Sequence, residues 1–287
     1  MSMRNIALIL EYDGSLFHGW QSQKNAVAIS DVVGAAVANL DKAPARIVGA
    51  SRTDAGVHAK GQVANFFTES GIPAEKYAYA LNAILPAGVV CARSFEVSPD
   101  FHSRFSAKGK TYSYLILNKR HPSALYRNRA WHVPLPLDID AMRSAADLLV
   151  GEKDFRAFMS SGSPVNSTVR TIYRLELAVL PYDNYGETPD VICGSAHNSD
   201  VTGRAAGETF ECAGRFIRLT IEGNGFLYNM ARIIAGTLVY VGQDKLNNDD
   251  VARALRCGDR RMSGKTAPPQ GLCLERVMYN RALCTAR

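Results

Sequence analysis

The sequence predicts an α+β protein built from two ferredoxin-like lobes, and two observations support this fold class. Segments with strand and helix patterns follow one another in the order β-α-β-β-α-β through residues 5–97. The same order of elements recurs through residues 110–279, although the halves share no visible sequence identity. We therefore expect a first lobe over residues 1–105 and a second over residues 106–287.

The elements of the first lobe follow from the spacing of apolar residues and from proline. Apolar residues at helical spacing predict a helix over residues 27–40. A second helix over residues 74–85 is expected to begin after Pro73 and to end before Pro86. Strands are predicted over residues 5–12, 46–50, 62–67 and 89–97.

The second lobe is assigned in the same way. Tyr112, Tyr114 and Ile116 alternate with their neighbours and predict a strand over residues 110–118. Asp138 is a suitable N-cap for a helix over residues 139–150, because its side chain can accept from the first turn. Further strands are predicted over residues 168–180, 216–222 and 272–279, and a further helix over residues 226–241.

Residues 181–209 break this pattern. The segment holds five acidic residues and one arginine, with many Gly, Ser, Asn and Thr residues and no sustained periodicity. A structureless segment of this length is unusual inside a compact domain. We predict that this segment is a surface insertion and that its acidic residues face away from phosphates, because like charges repel.

Composition and charge limit the classes of function. The 287-residue chain is 47% hydrophobic and carries a formal charge of +6, which favours a polyanionic partner. Its six cysteines form no Cys-x-x-Cys pair, and its histidines form no His-Glu-x-x-His motif. The longest apolar run, residues 233–242, is too short to cross a bilayer. We expect a cytoplasmic protein that uses neither metal nor cofactor and does not bind a membrane.

The run 51–58, Ser-Arg-Thr-Asp-Ala-Gly-Val-His, contains the strongest candidate for catalysis. Arg52 and Asp54 are two residues apart, so in extended backbone their side chains project to the same face. We expect Arg52 to pair with Asp54, to lower the pKa of its carboxyl and to keep it ionised. Such a carboxylate suits a nucleophile or a base, whereas the alternative interpretation is an aspartate that closes a turn.

The same run resembles the catalytic motif of the TruA family of tRNA pseudouridine synthases. Other motifs of that family follow in the same order along nearly the whole chain. They resemble the runs 11–14 (Glu-Tyr-Asp-Gly), 19–21 (Gly-Trp-Gln), 101–107 (Phe-His-Ser-Arg-Phe-Ser-Ala), 112–114 (Tyr-Ser-Tyr), 226–236 (beginning Phe-Leu-Tyr-Asn-Met-Ala-Arg) and 271–274 (Gly-Leu-Cys-Leu).

The resemblance implies the pseudouridine synthase fold, with a central mixed, mostly antiparallel sheet and a cleft between the lobes. It implies that the protein isomerises uridine in the anticodon stem-loop of tRNA, at positions 38–40, as a homodimer. Asp54 would be the catalytic nucleophile or base, and Arg52 would orient it and replace the extracted base. Whether Asp54 attacks a carbon or removes a ribose proton stays open.

The resemblance also suggests substrate contacts. Tyr112 would stack on the flipped uracil, Leu272 would line its pocket, and Arg232 would reach the cleft or the RNA. From the sequence alone, Tyr112 and Leu272 fit the core equally well, and Arg232 fits the surface. Arg104 and Lys110 precede Tyr112 in a basic stretch and are candidate phosphate contacts, with a solvated charged face as the alternative.

Two other functions remain open at this point. The first is a non-catalytic RNA-binding protein made of twin ferredoxin-like lobes, although the aromatic RNP signature is missing. The second is a nucleotide-dependent enzyme that uses the turn 223–225, Gly-Asn-Gly. That turn lacks the third glycine of a dinucleotide fingerprint and is a weak signal.

Overall fold

The computed structural model describes residues 3–162, 165–182 and 214–280. The predicted insertion therefore lies outside the described residues from position 183 onward. Within the described part of the chain, ten strands form one sheet, accompanied by five α-helices and several short 3-10 turns.

The first half of the chain folds as β1 (Arg4–Tyr12), α1 (Ile29–Asp41), β2 (Val48–Gly49), β3 (His58–Thr68), α2 (Tyr77–Asn82) and β4 (Val89–Val97). The predicted order of elements is confirmed. Two bounds differ: β2 is only two residues long, and β3 begins at His58 rather than at residue 62. The second helix is also shorter than expected at both ends, since Ala74–Lys76 form a 3-10 turn before α2 and α2 ends at Asn82 rather than at residue 85.

The second half folds as β5 (Gly109–Asn118), β6 (Trp131–Val133), α3 (Ile139–Asp147), β7 (Gly151–Asp154), β8 (Val169–Pro181), β9 (Arg215–Gly223), α4 (Met230–Gly242), α5 (Asn248–Cys257) and β10 (Leu272–Met278). Asp138 caps α3 as expected, accepting from the N–H of Ala141 at 2.9 Å. Three elements were not predicted: the short strands β6 and β7, and α5, in which only Val251 and Ala254 are buried.

The sheet shows that the two halves share a topology. Its strand order is β4-β1-β3-β10-β5-β9-β8-β7, with β2 on β3 and β6 on β5. When the four principal strands of each half are numbered in sequence, both halves have the ferredoxin-like order 4-1-3-2. The fold class is therefore confirmed, and the sheet is mixed but mostly antiparallel.

The final strand joins the halves. β10 pairs antiparallel with β5 and parallel with β3, through Cys273 opposite His58 and Leu274 opposite Ala59. One apolar cluster extends from Leu8 on β1 to Ile221 on β9 and includes most of α4. The division at residue 105 falls between β4 and β5, and it stays a prediction because the sheet and core are continuous.

Candidate active site

Asp54 lies in the loop that connects β2 to β3. The N–H of Val57 donates to the carbonyl oxygen of Asp54 at 3.1 Å, and this closes a tight turn. Gly56 has a φ of +80°, a conformation that side chains disfavour, so glycine allows the turn. The turn places the Asp54 side chain in the wall of a cleft.

The loop is held by hydrogen bonds to neighbouring strands. The hydroxyl of Tyr12 bonds Thr53 Oγ1 at 2.8 Å, and the N–H of Trp20 donates to the Thr53 carbonyl at 3.0 Å. The buried amide of Gln62 donates to the Ser51 carbonyl at 2.7 Å and accepts from the Ser51 N–H at 3.2 Å. These bonds fix the backbone on the N-terminal side of Asp54, so its carboxylate is positioned before any substrate binds.

The partner of Asp54 is Arg232, not Arg52. Arg232 Nη1 lies 3.2 Å from Asp54 Oδ2, whereas Arg52 is exposed and makes no hydrogen bond or ion pair within the described residues. The expected pairing of Arg52 with Asp54 is therefore wrong. The local spacing permits that pairing, but the fold brings a better-placed guanidinium from 178 residues away.

Arg232 is itself held in place. Its Nε donates to the Ala267 carbonyl at 2.8 Å, and its Nη1 donates to Asn229 Oδ1 at 2.7 Å. Asn229 adopts a φ of +61° immediately before α4, a conformation that asparagine tolerates better than most residues. Arg232 lines the cleft, with 15% of its side chain exposed, and its expected role in contacting the substrate stays a prediction.

The ionisation of Asp54 also differs from the sequence-based expectation. Burial raises the pKa of Asp54, and the attraction of Arg232 and its hydrogen bond only partly oppose this. The expected lowering of the pKa is therefore wrong. That expectation counted the attraction of an arginine but not the free-energy cost of burying the carboxylate, which is the larger effect. A carboxylate with a raised pKa is a better proton acceptor than an exposed one.

Tyr112 and Leu272 lie on adjacent strands in the same cleft wall. The phenol of Tyr112 hydrogen-bonds Ser51 Oγ at 2.8 Å, and its ring meets the edge of Phe226 with centroids 5.0 Å apart. Burial raises the pKa of Tyr112 to about 12, so its hydroxyl stays protonated at neutral pH. Both side chains are mostly buried yet border the cleft. Each can therefore pack in the core and also line a binding pocket.

The cleft has a volume of about 1410 Å³ and a strongly basic lining. Asp54 is the only carboxylate among its described lining residues. Six arginine and lysine side chains also line it: Arg46, Arg52, Arg104, Lys110, Arg170 and Arg232. All seven predicted site residues therefore share one cleft, and the excess of positive charge suits a polyanion.

Lys110 is the most perturbed of these cations. The pKa of Lys110 is lowered to about 8, mainly by burial and in addition by the nearby charges of Arg104 and Arg170. An anion that enters between these three side chains would relieve their mutual repulsion. This cluster of like charges is therefore a favourable environment for an anion.

A family model described as tRNA pseudouridine synthase matches residues 8–106 and 145–280 of this chain. The chain belongs to this family. The resemblance noted from the motifs is thereby confirmed. Asp54, Arg52, Arg104, Arg232 and Leu272 lie within the matched ranges.

Individual relatives cover almost the whole chain. The tRNA pseudouridine synthase A of Thermoanaerobacter sp. (strain X514) is 44% identical over 277 residues, which is 96% of this chain and all of the relative. The protein of the same name from Acetivibrio thermocellus is 43% identical over the same share of both chains. The tRNA pseudouridine synthase A 2 of Clostridium perfringens is 39% identical, again over 277 residues.

Sequence reasoning missed some residues of the cleft. Arg46 and Arg170 line it but were not singled out, because nothing in their local sequence distinguishes them from surface arginines. Conversely, the basic stretches at residues 119–129 and 253–265 do not line this cleft. Several of their arginines form ion pairs instead, as Arg129 does with Asp13.

The turn 223–225 does not resemble a phosphate loop. Asn224 accepts from the Thr171 N–H at 3.0 Å, which ties the turn to β8. The helix α4 begins only at Met230, so its N-terminal amides do not follow the glycines directly. This geometry disfavours the nucleotide-dependent alternative.

The described residues provide neither a metal-binding cluster nor a membrane-spanning helix. They contain no group of three His, Cys, Asp or Glu residues arranged to hold a metal ion. No helix among them is long and apolar enough to span a membrane.

Proposed function

We propose that this protein isomerises uridine to pseudouridine in tRNA, at positions 38–40 of the anticodon stem-loop. The observation that carries the proposal is a single carboxylate, Asp54, in a cleft whose other charged lining residues, among those the structure describes, are arginines and a lysine. The family to which the chain belongs and the printed names of its relatives support the same activity. The positions rest on the resemblance to the TruA family.

The reaction breaks the N-glycosidic bond, turns the uracil, and rejoins it to the ribose through carbon C5. No atom is gained or lost, so the protein needs to supply only a carboxylate and a pocket. Asp54 Oδ2 accepts from Arg232, whereas Oδ1 accepts no hydrogen bond from the described residues. Oδ1 is therefore the oxygen that would attack a carbon or accept a ribose proton.

The other cleft residues would bind and orient the nucleoside. The phosphates would contact Arg104, Lys110 and Arg170, and the extruded uracil would enter between Tyr112 and Leu272. Arg52 is exposed in the cleft and has no hydrogen-bond or ion-pair partner among the described residues, so its planar guanidinium is available to fill the gap in the base stack. Arg52 would thus act on the RNA rather than on Asp54.

The remaining features of the proposal concern the cellular setting. The protein would act in the cytoplasm, without metal or cofactor, as a homodimer that binds tRNA across both subunits. Light scattering of the purified protein, with and without tRNA, measures the oligomer. A monomer under both conditions would contradict the proposed homodimer and leave the proposed reaction unaffected.

The decisive experiment replaces Asp54. Asp54→Asn is expected to bind tRNA within about twofold of wild type and to form no pseudouridine, because neutral amide oxygen is a poor nucleophile and base. Tritium release from labelled uridine measures turnover, and pseudouridine mapping of the tRNA gives the positions. The control is Asp140→Asn, whose carboxylate is exposed outside the cleft.

Two outcomes would contradict the proposal. Turnover by Asp54→Asn at the wild-type rate would remove the carboxylate from the mechanism. Binding by wild type without any turnover would favour the alternative, a non-catalytic RNA-binding protein of twin ferredoxin-like lobes.

A further inference from the structure

One wall of the cleft carries an exposed aromatic ring that the proposed reaction does not use. Phe105 lies in the turn that follows β4, and 74% of its surface is exposed. Its neighbours in the turn, Phe101 and Ser103, are 3% and 0% exposed. Single exposed apolar side chains are common on protein surfaces, so the exposure of Phe105 points to a ligand only because its ring lies in the wall of the cleft.

The turn is anchored firmly to the sheet. Ser103 Oγ donates to the Val48 carbonyl at 2.6 Å, and the Ser103 N–H donates to Asn65 Oδ1 at 2.9 Å. The Tyr279 hydroxyl donates to the Ser103 carbonyl at 2.6 Å. Because Val48 lies on β2, directly before the Asp54 loop, the turn and the catalytic carboxylate share one support.

The turn also closes on itself in a way that orients the ring. His102 Nδ1 accepts from the N–H groups of Arg104 and Phe105 at 3.2 and 3.3 Å. The His102 carbonyl accepts from the Ser106 N–H at 2.9 Å. The backbone of Phe105 is thus held although its side chain meets solvent, so little conformational entropy remains to be lost when a ligand binds.

Two further groups pack against the ring. The imidazole of His102 lies 4.3 Å from the phenyl centroid at an interplanar angle of 34°. The guanidinium of Arg104 lies 5.6 Å from the same centroid. At this centroid separation the imidazole packs against the phenyl ring rather than beside it in one plane. All three side chains border the basic cleft and form a cluster of aromatic and cationic groups there.

We propose that Phe105, with His102 and Arg104, is a stacking platform for an unpaired base of the RNA that flanks the extruded uridine. The inference rests on the proposed function. Extrusion removes one stacking partner from each neighbouring base. An aromatic ring and a guanidinium plane are the groups on which proteins stack single-stranded bases, and the contact tolerates any base because every base has a π face.

The target uridine itself is a poorer occupant. It must approach Asp54, where Tyr112 is only 6% exposed and is bonded to Ser51 beside the catalytic loop. Phe105 is instead open to solvent. The platform therefore sets where the adjoining nucleotide lies and acts on binding rather than on the chemical step.

The chain offers a matched control. Tyr79 on α2 is 75% exposed, and the ammonium of Lys76 lies 5.5 Å from its ring centroid. This is another exposed aromatic side chain beside a cation, but it does not line the cleft. Tyr79→Ala removes equivalent apolar surface without touching the platform.

The experiment compares Phe105→Ala, Phe105→Trp and Tyr79→Ala on an anticodon stem-loop RNA. Phe105→Ala is expected to raise KM and the dissociation constant about tenfold while kcat changes less than twofold, since stacking on one base commonly contributes that much. Phe105→Trp should restore binding, and Tyr79→Ala should resemble wild type. With 2-aminopurine next to the target, wild type and Phe105→Trp should quench its fluorescence, and Phe105→Ala should not.

The inference is overturned if Phe105→Ala binds the stem-loop as wild type does, or if Tyr79→Ala weakens binding equally. It is also overturned if Phe105→Ala changes only the oligomeric state, which would make the ring a protein contact. Failure of the proposed function gives a separate result, namely no pseudouridine with wild-type protein. Melting curves of each variant confirm that binding is compared between folded proteins.

Discussion

At the scale of single residues, two opposing effects determine the properties of Asp54. Burial disfavours its charge and raises its pKa, while Arg232 stabilises the carboxylate through one oxygen. Burial is the larger effect, and the carboxylate that results is both basic and oriented. The anchoring of Arg232 by Ala267 and Asn229 means that this compensation does not depend on a mobile side chain.

Replacing Arg232 should therefore change the pH dependence of the reaction. In Arg232→Met the attraction is lost, so the pKa of Asp54 rises further above its ordinary value. Because the ionised form is active, the acid limb of kcat/KM against pH should move to higher pH, and activity at neutral pH should fall. Single-turnover rates measured between about pH 5 and pH 8 check this, in the range where perturbed carboxyl groups titrate.

Arg52→Met is the matched comparison. Since Arg52 does not contact Asp54, its loss should lower the rate or the affinity for RNA without moving the acid limb. If Arg52→Met shifted the limb and Arg232→Met did not, the assignment of the ion pair would be wrong.

At the scale of elements, the catalytic loop depends on close contacts with the turn after β1. Gly19 has a φ of +88°, and a Cβ added there would lie 2.6 Å from the Thr53 carbonyl oxygen. The adjacent Trp20 N–H donates to that same carbonyl. The loop and the turn therefore pack with no room for a side chain at Gly19.

Gly19→Ala should displace the loop and destabilise the protein. We expect the free energy of unfolding to fall by about 2–4 kcal/mol, the sum of a left-handed backbone cost and a steric cost. The control is Gly151→Ala, where φ is +97° but the nearest atom is 3.9 Å away. It should lose only about 1–2 kcal/mol.

Urea denaturation of both variants measures the difference. Equal losses of unfolding free energy in the two variants would show that the steric clash with Thr53 is relieved without destabilising the protein. Kinetics add a second readout, because a shifted Thr53 should lower kcat in Gly19→Ala and leave Gly151→Ala close to wild type.

Element prediction succeeded where a segment's pattern was long and regular. The strands β1, β4 and β5 and the helix α4 were recognised, since buried faces impose period 2 or 3.6 on many consecutive positions. The strands β6 and β7 have only three and four residues, too few for a period to show. Helix α5 has few buried residues, and its capping box at Asn247 was the signal that could have revealed it.

At the scale of the whole molecule, the path of the chain gathers charges from distant positions. Residues 46, 104, 110, 170 and 232 meet in one cleft because β10 pairs with both β3 and β5 and so holds the halves side by side. The formal charge of +6 for the whole chain does not reveal this local concentration of positive charge. The electrostatic field is therefore a property of the assembled sheet.

Binding of RNA should weaken steeply with salt because phosphates displace counterions from the nucleic acid. Removing one cleft cation, as in Arg170→Gln, should lower the slope of log K against log salt by about one. Arg143→Gln, on an exposed face outside the cleft, should leave the slope unchanged. Filter binding of the stem-loop over about 50–200 mM salt measures both slopes, and equal slopes for the two variants would contradict this location of the phosphate contacts.

The sequence by itself determined the order of the principal elements, the repeated β-α-β-β-α-β order in the two halves, and the residues that carry the family's motifs. These features depend on local periodicity and on short runs such as residues 51–58, so they can be recognised without knowing any tertiary contact. Only the tertiary structure decided that Arg232 rather than Arg52 holds Asp54, that burial raises the carboxyl's pKa, and that Arg46 and Arg170 belong to the cleft. Ion pairs and desolvation depend on which distant segments meet and how deeply a group lies among them, and no local spacing encodes either quantity.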